Sequence, residues 1–188
     1  MYPLAKPALK HKVRLSMIDE IQRAICHEAG HAIAALHLGF LIEKISVSKG
    51  IPFCHISIDT PDRKPQERYI VLTAGIAAEQ HLYQWYNPTA CAKDKAMIAE
   101  RGGRSIETYI PAALRVIEIN DRKFRSLVWK LTCRMQEEIG IESFAAGGSL
   151  ADPALPSFEL LSNDEIQVIW RDTAKPSGDH SRHQRVAK

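Results

Sequence analysis

The chain has 188 residues, 45% of them hydrophobic and 25% charged, which is the balance of a globular domain with its own core and not of a disordered chain. Its 25 basic and 22 acidic residues leave a formal net charge of +3, too small to point to nucleic acid as a partner. No apolar run approaches the roughly 20 residues of a membrane span, and Cys26, Cys54, Cys91 and Cys133 are scattered with no CxxC pair, as in a reduced, cytoplasmic protein.

Residues 1–15, "MYPLAKPALKHKVRL", are basic and proline-broken, without the apolar stretch of a signal peptide, and read as an arm. The domain itself is expected over 16–170. Ser16 precedes a periodic helix over 17–38. At about 100° per residue, Ile18, Ile21, Ile25, Ala29, Ala32 and Leu36 form one apolar stripe, and Gly39 is the expected stop. Two β-rich runs follow, 43–48 and 54–59, with Lys49, Gly50, Ile51 and Pro52 between them, which predicts a hairpin with an irregular loop. The second run, "CHISID", could offer an open edge to an extended peptide, and its His55 is a minor candidate for the neighbourhood of a site.

A helix is expected over 65–85, closed by Asn87-Pro88, and another over 90–101, capped by Thr89 and stopped at Gly102-Gly103. Residues 105–139 read as helical with a break near Asn120-Asp121, and Gly140 as their stop. Residues 143–157 read as a loop. A last helix over 162–170 opens with Ser162 and Glu165 at capping-box spacing. Residues 171–188 read as a disordered basic tail, with His180 and His183 as solvated residues. Trp85, Trp129 and Trp170 fall on helices as core or partner-facing anchors. The fold expected is mainly α-helical α+β, with a small hairpin or sheet and a C-terminal helical bundle.

The chemistry concentrates in "ICHEAGHAI", residues 25–33. His27 and His31 are four apart, so on a helix both imidazoles face one way and can reach a single ion. They project away from the apolar stripe, among Ala24, Ala34 and Ala35, whose small size leaves room for another element. Zinc takes neutral imidazole nitrogens, and a catalytic zinc ion keeps one position for water, to which Glu28 would be the general base. A third protein ligand is needed. Residue chemistry alone leaves Glu79, Asp94 and Glu100 open, with His37, His55 and His81 as outsiders and Cys91 as either a soft ligand or a buried small residue.

"HEAGHAIAALHLG" followed by a hairpin resembles the peptidase domain of FtsH, the membrane-anchored AAA+ zinc protease. "YIVLTAGIAAEQHLY" resembles that family's "LLGGRAAEE" helix, and "PTACAKDKAMIAER" its "TGASNDLKQATEIAR" segment, in the same order over 16–101. "ELLSNDEIQVIW" is a weaker match to its "TLDGEEI" stretch. The resemblance implies Zn2+ held by His27, His31 and Asp94, with Glu28 as catalytic base. It matches Glu79 to an acidic residue of the preceding helix, a candidate to orient a ligand or to close a structural hydrogen bond.

The chain departs from that family at Ala90 and Lys93, which stand where it has Gly and Asn, at Ile76 for Arg, and at Gln80 for a second Glu. Lys93 is expected to point to solvent. There is no GxxxxGK(S/T) loop, so no ATPase engine is expected, and the chain reads as a free-standing relative of the peptidase domain. The expected function is an ATP-independent zinc endopeptidase acting on a polypeptide substrate, without nucleic acid or a membrane segment. Family members assemble as hexamers, which makes a homo-oligomer compatible with the resemblance. The alternative is a non-catalytic protein-interaction module that keeps a metal-stabilised peptidase fold.

Overall fold

A computed structural model describes residues 17–48, 50–86, 88, 91–139 and 157–172. The arm, Thr89, Gly140, most of the 143–157 segment and the tail with His180 and His183 lie outside the described residues. Helix α1 spans Met17–Leu38 and stops at Gly39, whose φ of 74° is a left-handed value that costs a residue without a Cβ little. Its apolar stripe is buried at Ile21, Ile25, Ala29 and Ala32. The opposite side is buried too, at His27, His31, Ala34 and Ala35, because helix α2 (Pro65–Tyr83) covers it.

Small residues allow that second contact. A Cβ added to Gly30 would lie 2.6 Å from the Cβ of Ala78, closer than real Cβ atoms come. Glycine inside a helix costs roughly 0.5–1 kcal/mol relative to alanine, and here it permits close approach of two backbones. Helix α2 is buried without a break from Val71 to Glu79, so it is covered on every side. It packs on α1 and on α4 (Ile110–Ile119).

Strand β1 (Leu41–Ser48) is central in a three-stranded antiparallel sheet of order β2-β1-β3, with β2 at Ile51–Ser57 and β3 at Phe158–Ser162. The hairpin is tighter than predicted: Ser48 pairs with Ile51, so two residues turn the chain, with Gly50 at φ 78°. Pro52 sits inside β2, opposite Val47, which an edge strand tolerates because its outer side needs no N–H donor. A register shift between Ile42 and Lys44 lets Ile42, Ile45 and Val47 all face the core despite their uneven spacing. Strand β3 was not foreseen. "FELLS" is too short to declare its class, and it becomes a strand by pairing with β1 more than a hundred residues earlier in the chain.

Helix α3 covers Ala92–Glu100, and a 3-10 turn at Ile106–Thr108 leads into α4. The expected break falls at Asn120, whose side-chain amide donates to the Val116 carbonyl at 2.8 Å before α5 (Asp121–Ile139) begins. Helix α6 (Asn163–Asp172) opens with the expected capping box: the Ser162 N–H donates to Glu165 Oε2 at 3.0 Å, and the Glu165 N–H to Ser162 Oγ at 3.4 Å. The whole is mainly helical α+β, as read from the sequence. Among the described residues no helix is long and apolar enough to cross a membrane.

Candidate metal centre

Six polar or charged residues are buried among the described ones: His27, His31, Thr73, Glu79, Asp94 and Asn120. Thr73 donates to the Tyr69 carbonyl and Asn120 completes the α4 terminus, so both serve the backbone. The other four meet at one point. Buried ionisable groups are costly unless they pair or hold an ion, and this cluster is therefore where a task is to be sought.

Asp94, on the first turn of α3, brings its Oδ2 to 3.1 Å from His27 Nε2 and 3.7 Å from His31 Nε2. The other nitrogen of each ring is occupied. His27 Nδ1 lies 2.7 Å from Glu79 Oε1, and His31 Nδ1 lies 2.8 Å from the Val71 carbonyl. Each of those oxygens only accepts, so each Nδ1 donates, and each ring is set to offer Nε2 to a metal on the Asp94 side. Tetrahedral ligands at about 2.0–2.2 Å from a zinc ion stand roughly 3.3–3.5 Å apart, and the two measured spacings bracket that value. The two spacings to Asp94 suit a metal, but Asp94 is in neither of the groups of residues whose ligand atoms all lie within 4.8 Å of one another.

Glu28 stands beside this set, its ligand atom within 4.8 Å of those of both histidines. Its Oε2 accepts the N–H of Cys54 at 2.7 Å, which ties the carboxylate to the outer edge of β2. His27, Glu79 and Cys91 form a second group with ligand atoms within 4.8 Å. A metal there would use His27 Nδ1 and displace the proton it shares with Glu79. Burial, reinforced by the charges of Glu79 and Asp94, pushes the Cys91 thiol up to about 12, so it is a protonated, buried small residue in the metal-free fold.

The remaining candidates lie elsewhere. Glu100 is exposed at the end of α3. His37 lies 3.1 Å from the Asn120 amide, His81 pairs with Asp121 at 2.6 Å, and His55 Nε2 bonds Ser46 Oγ at 2.7 Å within the sheet, away from the cleft. Trp129, 70% exposed, is no core anchor, because its side of α5 is left uncovered. Three contributors escaped the sequence reading: the Val71 carbonyl, the Cys54 N–H and Gly75. The first two are backbone groups without a residue signature. At Gly75 an added Cβ would lie 2.6 Å from His27 Cδ2 and Cε1, so its missing side chain is the space the ring occupies.

A metal held by His27 Nε2 would feel Glu79 through the ring, since Glu79 bonds the opposite nitrogen. Glu79→Gln keeps an acceptor but removes the charge, and zinc affinity should fall about tenfold in a competition titration with a chromogenic chelator. Unchanged affinity would leave Glu79 a purely structural carboxylate.

The electrostatics favour charged imidazoles beside ionised Asp94. Burial opposes a charged His27 ring, but hydrogen bonds to Asp94 and Glu79 outweigh it and push its pKa up to about 10. His31 is raised against the same opposition by the charge of Asp94. Burial likewise opposes a charged Asp94, yet the charge of His31 and the bond to His27 hold it well below the usual carboxylate range. In the unfolded chain a histidine releases its proton near 6.5, whereas folded His27 does so near 10. The stabilisation from that proton is complete below pH 6.5 and is lost as pH rises to about 10. Chelator-treated protein should therefore melt lower at pH 9 than at pH 6.5, by on the order of a few kcal/mol of stability. A metal bound at these nitrogens would replace the protons and remove this dependence. A flat metal-free profile would contradict the pairing.

A cleft of about 650 Å³ opens onto this centre, with α1, β2, α2 and α3 contributing to its walls. No protein-family model matches the chain, and none of the curated proteins matches it. The likeness to the FtsH peptidase domain rests on the sequence motifs alone.

Proposed function

We propose that the chain is a zinc-dependent, ATP-independent endopeptidase of FtsH-like type. One observation carries this reading: His27, His31 and Asp94 converge, buried, with Glu28 at their side and an open cleft above. Two neutral imidazoles and a carboxylate are a donor set that zinc accepts. Zinc, when bound, supplies a Lewis acid that makes water acidic enough to attack an amide near neutral pH.

The remaining work falls to the chain. Glu28 takes a proton from the attacking water and returns it to the departing amide nitrogen. Glu79 and the Val71 carbonyl keep each imidazole in the tautomer that binds metal. The unpaired side of β2 can take an extended polypeptide as a further strand, beside the Glu28–Cys54 contact. A cytoplasmic setting and a homo-oligomer belong to the same reading.

The test is hydrolysis of an unstructured casein-like protein. Cleavage should be abolished by a zinc chelator and restored by stoichiometric zinc. The hydrogen bond already made by Glu28 to Cys54 favours a second reading, a non-catalytic interaction module with a metal-stabilised fold. Zinc bound at full occupancy with no hydrolysis of any unstructured protein would select that reading.

A further inference from the structure

The cleft carries two cations that the hydrolytic machinery does not use. Arg23 lies one helical turn before His27 on α1, and its guanidinium carbon stands 4.6 Å from the centroid of Trp85 and 5.7 Å from that of Tyr83. Lys93 extends from α3 towards the outer strand, with Nζ 5.2 Å from the ring centroid of Phe53 on β2. Both line the cleft, and among the described residues neither forms an ion pair.

A guanidinium resting over aromatic rings can still present N–H donors, and their fork matches a carboxylate. The aromatic contacts also hold the side chain beforehand, so less rotamer freedom is lost when a ligand arrives. Glu20 shares this part of the cleft but is exposed and one turn further from the metal centre. The lining also includes apolar Val71, Leu72, Ile56, Ile58 and Met97. The cleft thus combines, among the described residues, two cations outside any ion pair with apolar wall residues.

We propose that Arg23, assisted by Lys93, selects polypeptides with a carboxylate about two residues from the bond to be cut. Four helical residues advance about 6 Å along α1, and an extended chain covers that distance in about two residues. The carboxylate comes from an acidic side chain or from the free C-terminus of the polypeptide. This selection rests on the peptidase reading, and its test separates the two.

Zinc-loaded Glu28→Gln protein is titrated with short fluorescent peptides in which a single Glu moves along the chain. Each has a Gln counterpart, and each is made with a free and an amidated C-terminus. The Glu peptide in register should bind about tenfold tighter than its Gln counterpart, as expected for a hydrogen bond to a charged group. The difference should disappear in Glu28→Gln/Arg23→Gln and shrink in Glu28→Gln/Lys93→Gln. A tenfold difference between free and amidated ends that Arg23→Gln removes supports the same selection, with the chain end as its source. Equal binding in both arms, or a preference that survives Arg23→Gln, overturns it. Wild-type protein is then given the same peptides. Peptides bound through Arg23 but never cut would reject the peptidase and leave the carboxylate selection standing. Cutting that ignores the carboxylate would reject the selection alone.

Discussion

Glu28→Gln is expected to retain zinc while hydrolysis of an unstructured protein falls by about two to four orders of magnitude, the usual contribution of a positioned general base. Glutamine has the same shape and keeps an oxygen to accept the Cys54 N–H, so the tie between α1 and β2 survives. What disappears is the ability to take a proton. The experiment pairs metal analysis after dialysis with initial cleavage rates. Retained zinc with activity within tenfold of wild type would remove Glu28 from the base role.

Asp94→Ala should weaken zinc binding by a hundredfold or more, above the roughly 10–100-fold seen when only an outer partner of a ligand is lost. The substitution removes the one oxygen that faces both imidazoles, at 3.1 and 3.7 Å. Cys91→Ala is the control, since it touches only the alternative ligand group. Its zinc affinity should match wild type. Full occupancy in Asp94→Ala together with loss in Cys91→Ala would move the metal to the Glu79–Cys91 side of His27. Circular dichroism on both variants separates loss of metal from loss of fold.

Most helices could be read from local order. Helix α1 has the predicted limits because its apolar period, its stop glycine and its length agree. Helix α2 ends two residues early, with Gln84 turning into the left-handed region. The break at Asn120 and the capping box at Ser162 are local side-chain-to-backbone bonds, legible wherever the residues stand at the right spacing. The sheet was read less well. A two-residue turn, a proline inside an edge strand and the β3 strand depend on a partner distant in sequence, and periodicity carries no information about pairing.

By itself the sequence determined that His27, Glu28 and His31 share one helix and that two imidazoles face one way, since helical geometry is local. It left Glu79, Asp94 and Glu100 equal on chemistry, and Asp94 was singled out there by family likeness alone. Tertiary packing decided the matter of proximity. Helix α2 lies against the histidine side of α1 through Gly30 and Gly75, and α3 carries Asp94 to both Nε2 atoms while Glu100 stays in solvent. The physical reason is that a buried carboxylate is tolerated only where opposite partners meet it. That condition is set by three helices at once and cannot be read along any one of them.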